Sequence, residues 1–182
     1  MGRAGNQGSH RTLMDMSGAT KIQSYHVGIA AEGFAAGFLA HAGYEVLVQY
    51  GANQPEYDLV ARKEKRTLTV SVKGTQENGW GLTHSYLKQA NYFQAIDDWL
   101  ANQKSVDIFM LVSVYQVAAG QIPNLWVARP REIAEHLKRC RGGKGNTTLF
   151  IDSGTYVRGI AKGVRDEIPE SWRFSQSRID SI

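Results

Sequence analysis

The residues best suited to chemistry in this sequence are Asp58, Ser71 and Lys73, with Glu32 as a fourth. Asp58 lies in Pro55-Glu56-Tyr57-Asp58-Leu59-Val60-Ala61, and the other two end the segment Leu68-Thr69-Val70-Ser71-Val72-Lys73. Both segments have the composition of strands. The link between them, Arg62-Lys63-Glu64-Lys65-Arg66, is too polar to be buried, so the pair reads as a β-hairpin. Side chains alternate between the faces of a strand, which puts Leu68, Val70 and Val72 on one face and Thr69, Ser71 and Lys73 on the other. With Glu64-Lys65 as a two-residue turn, Asp58 stands directly opposite Ser71. An acid, a hydroxyl and an ammonium then project from one face, a set that could hold a cation and a phosphate.

Glu32 belongs to a segment, Lys21 to His41, that reads as a helix capped by Ser24, with a broad apolar surface of Val27, Ala30, Ala31, Phe34, Phe38 and Leu39. Its neighbours one turn away are Gly28, Ile29, Ala35 and Ala36, all small or apolar. A carboxylate there is costly to bury unless a cation or a donor meets it. The plain alternative is that Glu32 faces solvent. Gly33 and Gly37, among alanines, suggest close approach of another backbone.

The remaining elements must position these groups. Gly43 ends the first helix, and Tyr44 to Tyr50 reads as a strand before the hairpin. Gly74 to Gly81 reads as a flexible polar loop at the mouth of the cluster. Ser85 to Gln103 reads as a second helix, capped at Thr83 or Ser85, with a stripe of Leu87, Ala90, Phe93, Ile96 and Leu100. Asp107 to Val114 is nearly all apolar, as in a strand covered on both faces. Leu125 to Ala128 is a further short strand, and Pro130 opens a helix over Arg131 to Arg139. Thr147 to Asp152 reads as a last strand, and Pro169 to Phe174 as a tail docking an aromatic cluster. Met1 to Thr20 lacks periodicity and is expected to be a mobile arm. Residues 21–182 are expected to form one domain, with a core over about 24–128 and a C-terminal extension. The order is helix, three meandering strands, helix, strand, strand, helix: an α/β fold with a central mixed sheet and helices on its faces.

Composition narrows the function classes. Of the 182 residues, 42% are hydrophobic and 21% charged, enough for a buried core in an ordinary globular chain. The net charge of +4 and pI near 9.2 are compatible with a polyanionic partner. Cys140 is the only cysteine, so an internal disulfide and a cysteine-based zinc cluster are excluded. No uncharged run approaches a membrane span and no signal-peptide region opens the chain, so a cytoplasmic protein without membrane contact is expected.

The helix bearing Glu32, Tyr57-Asp58-Leu59 and Ser71-Val72-Lys73-Gly74, taken in this order, resemble the PD-(D/E)XK nuclease superfamily, in particular its Holliday-junction-resolvase-like branch. The resemblance covers roughly Ser24 to Val114. It implies a restriction-endonuclease-like α-β-β-β-α-β core with a four-stranded mixed sheet. It also implies Mg²⁺- or Mn²⁺-dependent hydrolysis of phosphodiesters in nucleic acid, with DNA as the expected substrate and one ion. Residue by residue, Asp58 and Glu32 would be metal ligands, Val72 would lend its carbonyl, and Lys73 would orient the attacking water. Related nucleases commonly dimerise, so a homodimer is a further expectation, although no interface is legible here.

One position departs from the motif. Ser71 stands where the family carries its second acid, and a hydroxyl is a far poorer Mg²⁺ ligand than a carboxylate. In this reading Ser71 would hydrogen-bond a metal-held water. Related Ser-x-Lys enzymes recover the acid from the following helix, yet His84-Ser85-Tyr86-Leu87-Lys88 holds none. Glu77 lies early for that role and Asp97 late. Two other readings stay open: a catalytically silent relative that binds DNA or serves in an assembly, and a protein-interaction domain with no nuclease site. Elsewhere, Arg129, Arg131, Lys138, Arg139, Arg141 and Lys144 form the most basic stretch, either a DNA-backbone surface or a solvated helix face. Trp80 and Tyr86 could stack on a splayed base or lie buried under the loop. The Arg neighbours of Cys140 could lower its pKa. His26, His41, His84 and His136 lack the spacing of a zinc site.

Overall fold

The computed structural model describes residues 23–48 and 56–182. The expected N-terminal arm, the loop Gly51 to Gln54 and the end of the first strand at Tyr50 lie outside them. Helix α1 (Ser24–His41) leads into β1 (Glu45–Val48), β2 (Leu59–Lys63) and β3 (Arg66–Thr75). A short β4 (Gly79–Trp80) and a 3-10 turn at His84–Tyr86 precede α2 (Tyr92–Ala101), β5 (Ile108–Ser113), β6 (Asn124–Ala128) and α3 (Pro130–Gly143). The chain closes with β7 (Leu149–Phe150), the hairpin β8 (Asp152–Thr155) and β9 (Arg165–Glu167), a 3-10 turn at Glu170–Trp172 and α4 (Gln176–Ser181).

Among the described residues the central sheet has five strands in the order β1-β2-β3-β5-β6, one more than the implied core. The first three are antiparallel, β5 joins β3 in parallel through the α2 crossover, and β6 returns antiparallel. The hairpin has the expected register, with Leu59 opposite Val70 and Lys63 opposite Arg66 across Glu64-Lys65. Every residue of β5 is buried, because apolar clusters cover the sheet on both sides. One cluster joins α1 and α4 to the sheet through Ala31, Ala35, Leu39, Val70, Val72, Met110 and Ile179. The other joins α2 and α3 to it through Ile96, Trp99, Phe109, Leu111, Trp126, Ile133 and Leu137.

Several local expectations are corrected. Ser24 lies inside the first turn of α1; Gln23 is the capping position and its side chain caps nothing. Gly33 and Gly37 meet no other group, and Phe34 is exposed. The close approach is at Gly74 instead, where a Cβ would lie 2.8 Å from the Cβ of Ala31 and 2.9 Å from the carbonyl oxygen of Val27. The second helix starts at Tyr92, capped by Asn91, whose side chain accepts from the Gln94 N–H. Gln89 and Ala90 at φ of 50° and 57° break any helix running from Ser85. Likewise α3 loses helical geometry at Cys140, and Arg141 and Gly142 take positive φ. Instead of one last strand over Thr147 to Asp152 there are two small sheets, β4 with β7 and β8 with β9.

Beyond the hairpin β8–β9 the tail docks as expected. Trp172 is buried with its ring 5.5 Å from that of His136, and Phe174 meets Phe38 edge-on at 5.3 Å. Helix α4, which the weak pattern of the C-terminal sequence did not announce, inserts Ile179 fully into the α1-side core. Arg178 fixes it by donating to the Val127 carbonyl at 3.1 Å and to Glu132 at 2.6 Å.

Candidate active site

Asp58 sits just before β2, where the pairing with β3 stops. Its backbone N–H donates to the Val70 carbonyl at 2.9 Å. Its Oδ2 accepts from the Val72 N–H at 2.6 Å and from the Ser71 hydroxyl at 3.3 Å. The side chain thus stands in for the backbone of a strand that has ended, satisfying a β3 amide that β2 no longer reaches. Oδ1 lies outside both bonds.

Backbone geometry places the Val72 carbonyl. In an extended strand the N–H and C=O of one residue point to the same edge, and successive residues alternate. Val72 directs its N–H toward Asp58, so its carbonyl leaves β3 on that side as well. Residues 69 and 75 direct their carbonyls to the other edge, where the Asp107 and Val114 N–H groups meet them.

Ser71 and Lys73 follow on β3 with side chains on the same face. Ser71 is buried, and its hydroxyl is spent on Asp58. Lys73 is exposed. Its position is set from two directions. Trp80, buried and packed edge-on against Trp126 at 5.8 Å, donates its indole N–H to the Lys73 carbonyl at 2.8 Å. The next residue, Gly74, is pinned under α1. Sequence reasoning missed this role of Trp80, and the lone Trp between Gly79 and Gly81 gave no signal for it. Burial also removes Trp80 as a base-stacking platform. Tyr86 packs partly against the same core.

Glu32 follows Ala31, the residue whose Cβ abuts Gly74. The contact between α1 and β3 therefore carries its carboxyl to the site. Half-burial holds the Glu32 carboxyl above its ordinary value of 4.5, the Asp58 carboxylate pushes it further up, and the Lys73 ammonium partly offsets both. Three groups from α1, the β2 edge and β3 therefore share one local field. Glu32 is partly buried, neither fully exposed nor sealed in the core.

Among the described residues no three His, Cys, Asp or Glu side chains cluster as a metal site. Asp97 is paired with Lys138 on α3. The basic stretch is divided: Arg131 pairs with Glu135, Lys138 with Asp97, and the Arg141 guanidinium lies 5.0 Å from the Tyr92 ring centre. Cys140 is buried, and burial with the neighbouring Asp166 pushes its thiol up to about 12, outweighing the lowering that its Arg neighbours could cause.

No protein-family model matches the sequence, and no curated protein matches it. Among solved structures, a bacterial homing endonuclease is similar at 15% identity and a TM-score of 0.40, over 63% of this chain and 74% of that one. A likeness of that size carries no argument about function. Among the described residues no helix is long and apolar enough to cross a membrane.

Proposed function

We propose that this chain is a nucleic-acid-binding protein of PD-(D/E)XK type that hydrolyses phosphodiesters, with DNA as substrate and one Mg²⁺ or Mn²⁺ ion as cofactor. The observation that carries the proposal is the close approach of α1 to β3 at Ala31 and Gly74, next to the bonds that hold Asp58 on Val72 and Ser71; it sets Glu32 in the field of Asp58 and Lys73. Two carboxylates held in one field, both half-buried, lack a full counter-charge from Lys73 alone. That donor set suits a hard divalent cation, which takes oxygen ligands and keeps several waters. Asp58 through Oδ1, Glu32 and the Val72 carbonyl would hold it. When bound, it would supply Lewis acidity, lowering the pKa of water and offsetting negative charge on the phosphate.

The chain's own residues have distinct tasks. Asp58 is held in place by the Val72 amide and the Ser71 hydroxyl, so Ser71 serves as a positioning residue in place of the motif's missing acid. Lys73 reaches solvent as a mobile point charge, suited to orienting the attacking water or a phosphate oxygen. Glu32 must be ionised to act as a ligand, and its raised pKa moves that requirement to higher pH.

Ser71 also favours a second reading, a catalytically silent relative that keeps DNA binding. One experiment separates the two. Branched, single-stranded and duplex DNA are incubated with Mg²⁺ or Mn²⁺ and wild type, Asp58→Ala or Lys73→Ala. The nuclease reading expects cleavage by wild type and a loss of roughly a hundredfold or more in each variant, the scale of one charge-stabilising group. Salt-sensitive binding without cleavage supports the silent relative, and cleavage that survives both substitutions excludes this site.

A further inference from the structure

Segments 138–148 and 154–164 contain Lys138, Arg139, Arg141, Lys144, Arg158 and Lys162 and no Asp or Glu. These six cations exceed the net charge of +4, so the rest of the chain carries a net −2 (4 minus 6). The two segments lie together. Across a cleft of about 530 Å³, Arg139 and Gly142 at the end of α3 face Val164 and Arg165 of the hairpin. A Cβ on Gly142 would lie 3.7 Å from the Val164 side chain.

The root of the hairpin β8–β9 is firmly built. Arg165 donates through Nε and Nη2 to both oxygens of Asp152. Buried Asp166 accepts from the Tyr156 hydroxyl at 3.0 Å and from the Arg141 N–H at 3.1 Å, and Asn146 donates to Tyr156 at 3.3 Å. Its tip is the reverse. Val157 and Ile160 are 77% and 79% exposed, between glycines at positive φ. Arg139, Lys144, Arg158 and Lys162 are exposed, and their side chains form no hydrogen bond or ion pair among the described residues. The nearby acids Asp152 and Glu167 are both engaged by Arg165. A rigid base thus presents two bare aliphatic side chains beside exposed cations; residues 138–167 as a whole carry seven Lys and Arg against Asp152, Asp166 and Glu167, and the excess lies at the end of α3.

We infer that this hairpin and the end of α3 form a second nucleic-acid contact surface, apart from the Asp58 site, on which Arg139, Lys144, Arg158 and Lys162 neutralise duplex phosphates while Val157 and Ile160 press into the minor groove. Cations bordering an apolar wedge suit that groove. The inference deepens the proposed nuclease function and rests on it for the choice of partner. An acidic membrane would attract the same charges. A nucleic acid is favoured because the turn after Lys73 is tied to the hairpin: Asn78 donates to the Asp152 carbonyl at 2.6 Å and accepts from the Ile151 N–H at 3.2 Å.

The test is anisotropy of a labelled duplex without divalent ion, so that the outcome is independent of metal binding by Asp58 and Glu32. Arg158→Ala/Lys162→Ala should weaken binding about tenfold or more and reduce the slope of log K against log salt by about 2, near 0.9 for each lost phosphate contact. Val157→Ser/Ile160→Ser should weaken binding severalfold with an unchanged slope. Both pairs lie at an exposed tip, so wild-type melting temperatures are expected and are checked alongside. Unchanged affinity and slope in the first pair would overturn the inference, as would binding to phosphatidylserine vesicles with none to the duplex. If wild type binds through this surface but never cleaves, the nuclease reading fails and the surface stands. If it cleaves and the slope does not move, the surface fails alone.

Discussion

Gly74→Ala should loosen the fold and the candidate site by one and the same displacement. A Cβ at position 74 would meet the Ala31 Cβ at 2.8 Å, the Val27 carbonyl oxygen at 2.9 Å and the Val27 Cγ1 at 3.1 Å. Carbon atoms in good contact sit about 3.5–4.0 Å apart, so α1 must lift from β3 by roughly 0.7–1 Å. Neither main obstacle is the far end of a flexible side chain, and both belong to one turn of a helix. Overpacking of this kind costs about 1–3 kcal/mol. Replacing glycine also stiffens the unfolded chain, which offsets about 0.4–1 kcal/mol. A net loss of about 1–2 kcal/mol lowers Tm by roughly 2–8 °C in a chain of this size. Because Glu32 follows Ala31, the same lift draws its carboxyl from Asp58 and should bring its pKa down toward 4.5. Calorimetry measures the first effect and carboxyl NMR titration the second. Adding Ala31→Gly removes the shortest contact but leaves the Val27 oxygen, so the double variant should recover part of the loss, non-additively. A Gly74→Ala protein as stable as wild type, or a double variant whose losses simply add, would refute the account of α1 and β3.

Three further outcomes follow from individual contacts. Trp80→Phe keeps a buried ring but removes the 2.8 Å bond to the Lys73 carbonyl. It should cost about 1 kcal/mol and lower kcat more than it raises KM in the cleavage assay; an unchanged kcat in a folded variant would show that Lys73 does not depend on it. Glu32→Gln removes a carboxyl whose folded pKa is raised, so its ionisation costs stability fully above the folded pKa and not at all below the unfolded value. The variant should therefore melt above wild type at pH 7 without divalent ion, and the gain should vanish by about pH 4. A gain that persists there contradicts the assignment. Cys140, with its thiol near 12, has only about one thiolate in ten thousand at pH 8 and should react with a disulfide reagent only after denaturation.

What the sequence determined by itself was local. Alternation in Leu68 to Lys73 and a two-residue turn at Glu64-Lys65 were enough to place Asp58 opposite Ser71, because a hairpin register depends only on residues near each other in the chain. The nearly all-apolar run of Asp107 to Val114 announced a buried central strand for the same reason, and Pro130 announced the start of α3. Tertiary structure decided which distant groups met these. Glu32 joins Asp58 and Lys73 because Gly74 lets α1 descend onto β3, a contact between residues more than forty positions apart that no periodicity encodes. Packing against Trp126 decided between the two readings of Trp80, burying it as the anchor of the Lys73 carbonyl. The same long-range packing buried Cys140 beside Asp166, outweighing the lowering of its pKa that its Arg neighbours could cause. Sequence supplies the chemistry of each side chain; burial and the field of remote neighbours, which exist only once the chain has folded, set what that chemistry can do.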